Sequence, residues 1–246
     1  MPFARRLFPK ACALLCVAPL AMVLIGAQAR AQDYAAILAA PDRSEADRQN
    51  DQKREARKLL DFVGPKTGWR VLDMGAGGGY STELMARAVG PGGKVWGQNE
   101  KIGERFEARM KTPAMANVVA LARPFDDPAA GQPPLDLVTF FFLYHDTTYM
   151  PVDRAAMNKA MFAALKPGGI LVIADHSARP EDGATVGKTF HRIAEATLRA
   201  EVEAAGFKFV ESGDFLRNPE DPRNMPVFRQ PIRIDAFVLK FRKPAS

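Results

Sequence analysis

Cysteine is nearly absent from this chain. Cys12 and Cys16 are the only two, and both fall within the first 31 residues. The remainder therefore offers no disulfide, no thiolate metal site and no cysteine nucleophile. An excess of one charge is missing as well. The formal charge of +6 comes largely from Arg5, Arg6, Lys10 and Arg30, in a segment without a single acid. Beyond it, 30 basic residues face 28 acidic ones, and so near a balance gives no electrostatic case for a nucleic-acid partner. Long apolar runs are lacking too: the stretch from Ala11 to Ile25 is about 15 residues and contains Pro19, short of the ~20 that a spanning helix needs. There are no internal repeats, and only three histidines, His145, His176 and His191. What remains, 246 residues with 47% hydrophobic and 25% charged, suits one α/β domain plus a targeting segment.

Residues 1–31 have the layout of a secretory signal peptide: a basic start, the apolar run, then Ala27-Gln28-Ala29-Arg30-Ala31 with small residues at cleavage spacing. Cleavage after Ala31 starts the mature chain at Gln32, with no stable membrane anchor and a periplasmic or secreted location. An uncleaved anchor is the alternative. Cys16 lacks the small residue that a lipoprotein signal places just before its cysteine. Arg5-Arg6-Leu7-Phe8-Pro9-Lys10 is similar to the twin-arginine export signal, which carries folded proteins, and the same residues also suit an ordinary basic start.

The stretch Val71-Leu72-Asp73-Met74-Gly75-Ala76-Gly77-Gly78-Gly79-Tyr80 organises the rest. It reads as a strand and a tight loop, followed from Ser81 to Val89 by a helix. Such a loop needs glycine where a ligand lies against bare backbone and where φ turns positive, and the helix start points free N–H groups at the same spot. The dinucleotide fingerprint wants glycine at the first, third and sixth places. Tyr80 occupies the sixth, which disfavours a dehydrogenase.

Asp73-x-Gly75-x-Gly77-x-Gly79 instead resembles motif I of the class I S-adenosylmethionine-dependent methyltransferases. Leu165-Lys166-Pro167-Gly168-Gly169 before an apolar strand is a second point of likeness, and the resemblance covers most of residues 55–243. It implies an α/β, doubly wound, Rossmann-like seven-stranded sheet, mostly parallel with an antiparallel last strand. Residues 32–246 then form one domain with a helical lid over about residues 32–63. The helices expected are Tyr34–Leu38, Ser44–Phe62, Ser81–Val89, Asp153–Leu165 and Thr189–Ala205. The strands are Trp69–Leu72, Lys94–Asn99, Val118–Ala122, Leu135–Leu143, Ile170–Ala174, Phe207–Glu211 and Asp235–Phe241, with a surface flap between Ser212 and Pro231. The implied cofactor is S-adenosylmethionine, held by Asp73, Gly75, Ala76, Gly77 and Gly79. By register Asn99 stands where the family has an acid for the ribose hydroxyls, and Asp126 faces the adenine amine with Phe125 covering the ring.

Ligands of open α/β sheets bind beyond the carboxyl ends of the strands, and all three histidines fall on that rim. Methyl transfer needs a positioned nucleophile and a group to take its proton. His145 is the candidate general base, Asp146 its orienting partner, and Tyr144 and His176 complete the catalytic set. A divalent metal on Asp146, Asp175 and His176, with His191, is the disfavoured alternative. Tyr144-His145-Asp146 stands in place of the Asn/Asp-Pro-Pro-Tyr/Phe motif of base-modifying family members, so a small-molecule substrate is expected and no nucleic acid. The competing reading is an exported protein that binds the adenosyl ligand without catalysis.

Overall fold

The structure is a computed structural model and describes residues 1–2 and 33–245. The export segment read from the sequence thus lies outside the described residues, apart from its first two. Among the described residues no helix is long and apolar enough to cross a membrane.

Three short helices come first: α1 (Tyr34–Leu38), α2 (Glu45–Lys53) and α3 (Ala56–Val63). The Ser44 side chain accepts from the Asp47 N–H at 3.1 Å and caps α2. The single helix expected from Ser44 to Phe62 is broken at Arg54–Glu55, where Glu55 takes φ 48°. The break lets α3 bury Leu59, Leu60 and Val63 while α2 keeps a polar surface that buries only Asp47.

The alternating part follows as β1 (Arg70–Met74), α4 (Tyr80–Val89), β2 (Lys94–Asn99), α5 (Glu104–Met110), β3 (Val118–Ala122), β4 (Leu135–Phe141), α6 (Arg154–Ala164) and β5 (Leu165–His176). Then come α7 (Gly187–Phe190), α8 (Glu195–Ala204), β6 (Lys208–Gly213) and β7 (Ala236–Arg242). The sheet order is β3-β2-β1-β4-β5-β7-β6, with β7 antiparallel to both β5 and β6. This is the expected seven-stranded, doubly wound arrangement. Every residue of β4 is buried, as a near-continuous apolar run in a parallel sheet requires. Val71 packs with Leu60, Leu84 and Phe106, and the next residue, Leu72, with Phe140, Met157 and Phe207. That alternation belongs to a strand covered on both faces. The order reverses between β1 and β4, so a crevice opens beyond their carboxyl ends.

One further expectation is corrected, and another gains a detail. The helix read from Thr189 to Ala205 is two helices, because His191 takes φ 54° and Ile193 makes a parallel bridge to Ser177. Backbone hydrogen bonds to the end of β5 win there over helical ones. The Ser212–Pro231 flap is largely irregular, but it is tied down by a fully buried pair of Arg192 and Asp221.

Candidate functional site

β1 runs into a loop in which Gly75, Gly77 and Gly79 take φ 59°, 55° and 83°, a region that other residues enter at a cost. β2 holds this loop in place. The Gln98 side chain accepts from the Gly75 N–H at 3.0 Å, its carbonyl accepts from the Ala76 N–H at 2.9 Å, and Asn99 Oδ1 accepts from the Gly77 N–H at 2.8 Å. The loop borders a cavity of about 680 Å³, completed by Tyr80 and Ser81, Asn50 and Arg54 from the lid, and Phe142 and Leu143 beyond β4. Helix α2 is tethered beside it: Tyr80 donates to Asp51 at 2.7 Å, and Arg109 pairs with Asp47 and Glu83 while donating to the Gly78 carbonyl.

Of the residues expected to hold a cofactor, Gly75, Ala76 and Gly77 line this cavity and the others do not. Asp73 is 1% exposed and accepts from Ser81, Thr82 and Thr139, so it supports the loop from beneath. Gly79 faces Phe106, where a Cβ would come within 3.2 Å of the ring. Asn99 spends its amide on Gly77, donating back to its carbonyl at 3.3 Å, and is a clamp for the loop. Asp126 is exposed on the turn after β3, and Phe125 is core, stacked on Phe140 at 5.8 Å.

The histidines separate sharply. His145 is 2% exposed; its Nδ1 lies 2.6 Å from Asp175 and its Nε2 3.0 Å from Asp146. Burial alone would lower its pKa, but the Asp175 charge and the hydrogen bonds that the ring donates to both carboxylates push it up to about 9. It is a clamped imidazolium at neutral pH, with neither nitrogen free, and the role of general base does not fit it. Asp146 keeps its orienting place, with Oδ1 facing His145, His191 and Tyr149. Tyr144 is fully buried, donates to Glu201 and accepts from Asn158, and lines neither cavity.

His176 is the opposite of His145. Burial, reinforced by the nearby His145 charge against the pull of Asp175, pushes its pKa down to about 4. Its Nδ1 lies 3.3 Å from the His191 carbonyl, which can only accept, so Nδ1 carries the hydrogen and Nε2 keeps its lone pair. His176 lines a second cavity, of about 490 Å³, together with Arg54, Phe142, Leu216 and Ile232. Among the described residues two sets of side chains lie close enough to share an ion, His145–Asp146–His191 and His145–Asp175–His176. Both require His145, whose nitrogens already face carboxylates.

Sequence reasoning missed the residues that join the two cavities. Asn50, Arg54 and Phe142 line both. Phe142 takes φ 57°, an uncommon conformation for a bulky residue and one that collects at functional sites. It sets the ring 4.7 Å beneath the Arg54 guanidinium and 5.1 Å from His176.

The family described as "Methyltransferase domain" matches residues 47–212. The chain belongs to that family. Over 127 residues this methyltransferase domain is 32% identical to the demethylmenaquinone methyltransferase of Lactococcus lactis subsp. lactis (strain IL1403), covering 49% of this chain and 47% of that protein. The trans-aconitate 2-methyltransferase of Paracidovorax citrulli (strain AAC00-1) is 33% identical over 130 residues, 51% of this chain and 45% of that one. The chain spans about half the length of the curated relatives it matches. Among solved structures, the 1,6-didemethyltoxoflavin-N1-methyltransferase of Burkholderia thailandensis, with bound 1,6-didemethyltoxoflavin and S-adenosylhomocysteine, superposes with a TM-score of 0.56 at 20% identity over 78% of each chain. A SAM-dependent methyltransferase from Aquifex aeolicus gives 0.56 at 18% identity, covering 76% of this chain and 88% of that one. These likenesses show the fold.

The two histidines set a pH profile for the stability of this methyltransferase domain. His145 has its folded pKa raised from 6.5 to about 9, so its contribution is whole below pH 6.5 and is lost as the pH climbs to 9. The amount is on the order of 3 kcal/mol. His176, lowered to about 4, resists the proton when folded and costs stability as the pH falls below 6.5. Asp146, which burial would raise but His145 holds below its ordinary value, adds to the acid-side loss. Urea midpoints at pH 5, 6.5 and 9 should peak at the middle value; a flat line from 6.5 to 9 would remove the imidazolium from the account.

Proposed function

We propose that the protein is an S-adenosylmethionine-dependent methyltransferase for a small molecule, with the cofactor in the glycine-loop cavity and the methyl acceptor in the second. The observation that carries this reading is the junction of the two spaces. Arg54 and Phe142 belong to both, and the neutral His176 stands on the second side. The residues present fit the cofactor. A Cβ at Gly77 would stand in open space, so the bare loop keeps room free. The volume also falls within the roughly 300–1,000 Å³ of small-ligand pockets. Gly75, Ala76 and Gly77 would hold it with the first N–H groups of α4. Bound there, the cofactor supplies a methyl group on a sulfonium.

The chain's own part is to orient the acceptor and receive its proton. His176 offers Nε2 to the acceptor's hydroxyl or amine. With a pKa of about 4 it does not strip the proton beforehand; it accepts the hydrogen bond and takes the proton as the new bond to carbon forms. Asp146 and Asp175 hold the His145 imidazolium, whose backbone N–H also donates to Asp175 at 2.8 Å, and this keeps the end of β5 rigid beneath His176. Export of the protein is part of the same proposal, supported by the sequence of residues 1–31 alone.

Calorimetry tests the cofactor assignment. The wild-type chain should bind S-adenosylhomocysteine. Gly77→Ala, at φ 55° with nothing within 4 Å of the new Cβ, should stay folded at a cost of about 1–2 kcal/mol. Its affinity should fall about tenfold or more, because the added methyl group takes up room kept free by the bare loop and the backbone bordering the cavity shifts. A wild-type chain that ignores S-adenosylhomocysteine removes the proposal.

A further inference from the structure

The second cavity has no acid among its lining residues, yet it has three cations, Lys53, Arg54 and Arg233. Its apolar wall is Leu216, Ile232 and Ile234. Lys53 and Arg233 are exposed, and Arg54 is half-buried. Among the described residues the Arg54 side chain makes neither an ion pair nor a hydrogen bond; it lies over the faces of Tyr80 at 5.3 Å and Phe142 at 4.7 Å. Arg43, just before α2, is by contrast paired with Asp51 through its two terminal guanidinium nitrogens. A half-buried guanidinium with no contacting counter-ion, and only the buried Asp73 carboxylate acting on it from beyond hydrogen-bond reach, costs folding free energy, and two aromatic faces return only part of it. A planar fork of donors left open in a cavity is matched by a carboxylate.

We infer that the second cavity takes a small organic acid, its carboxylate on Arg54 within the field of Lys53 and Arg233, and its apolar body against Leu216, Ile232 and Ile234. That this acid is the methyl acceptor rests on the function proposed above; that it binds does not. Arg54 also borders the glycine-loop cavity, where the cofactor's own carboxylate would be the competing source of the same chemistry. Lys53 and Arg233, the latter 3.8 Å from Glu55, line the second cavity, while Arg105 and the paired Arg109 line the first, so binding of S-adenosylhomocysteine separates the two sources.

The test uses the full chain with 3-phenylpropanoate and its neutral isostere 3-phenylpropanamide as probes, and S-adenosylhomocysteine as a separate arm, all by calorimetry. The wild type should bind the acid about tenfold or more tightly over the amide. Arg54→Gln should bring the two within about twofold, while its affinity for S-adenosylhomocysteine changes by less than about threefold. No preference in the wild type, or a preference that survives Arg54→Gln, overturns the inference. So does a loss that falls on S-adenosylhomocysteine instead of the acid, because Arg54 would then serve the cofactor. Should Arg54→Gln fail to fold, the surface double variant Lys53→Gln/Arg233→Gln takes its place. It should cut the preference about threefold and flatten its dependence on salt, and an unchanged preference there overturns the inference too. A chain that keeps the acid preference but ignores S-adenosylhomocysteine loses its proposed activity and retains its acid site.

Discussion

His176→Ala is expected to lower the turnover of the domain by about 10²–10⁴-fold, the usual effect of a lost proton acceptor, with little loss of folded stability. His145→Ala should do the reverse. His176 lines the second cavity and its Nδ1 faces the His191 carbonyl, so on the proposed role its removal leaves the acceptor's proton without a destination. His145 lines neither of the two cavities and lies between Asp146 and Asp175. Asp175 is fully buried, and taking its cation away strands a carboxylate in the core, which costs about 3–5 kcal/mol.

A second consequence follows from the charges alone. The His145 cation helps to depress His176, and the Asp175 carboxylate opposes it. With His145 gone and Asp175 unpaired, the pKa of His176 should climb toward its ordinary value of 6.5, and the acid limb of the rate profile should climb with it. Release of S-adenosylhomocysteine with an acid acceptor, followed from pH 4 to 8, reads both effects, and urea unfolding gives the stabilities. If His145→Ala abolished turnover at unchanged stability while His176→Ala turned over normally, the two roles would have to be exchanged.

The sheet was legible because its signals are local. Strand β4 is an apolar run, glycine and proline punctuate the turns, and the loop from Asp73 to Gly79 carries its conformation in its composition. The site was legible only as a set of places, since a role depends on what faces each residue in space. His145 and His176 look alike in the sequence, and their protonation differs because Asp175 pairs with one ring and burial governs the other. Arg54 stands in a charged stretch that reads as a solvated helix face, and the left-handed Glu55 beside it, which ends α2 there, is visible only with tertiary contacts. Phe142 resembles any other residue of an apolar strand; its positive φ arises where its N–H donates to the Ala174 carbonyl at 2.7 Å. Asn99 occupies the register of a ribose-binding acid and has become a clamp, because its amide matches the N–H and the carbonyl of Gly77 together.

Asp73→Ala is expected to damage the fold as heavily as His145→Ala. Its Oδ1 accepts from Thr139 at 2.7 Å, and its Oδ2 from Ser81 at 2.8 Å and Thr82 at 2.6 Å, so one carboxylate joins β1, β4 and the first turn of α4. Thr82 and Thr139 are fully buried, and alanine would leave their hydroxyls without an acceptor, a loss of about 3–5 kcal/mol in urea unfolding. Asp73→Asn should cost no more than about 1 kcal/mol, because the hydroxyls can rotate to serve an amide. Burial pushes the Asp73 carboxyl up against the three hydroxyls that pull it down. A raised folded pKa means that the ionised group gives up stability as the pH rises through it, and the neutral asparagine escapes that loss. What asparagine should lose is affinity for a cation above the loop. S-adenosylmethionine carries a sulfonium and S-adenosylhomocysteine does not, so Asp73→Asn should weaken the first several-fold more than the second. Equal weakening of both ligands, measured by calorimetry at one ionic strength, would show that the buried charge shapes the loop and does nothing for the sulfonium.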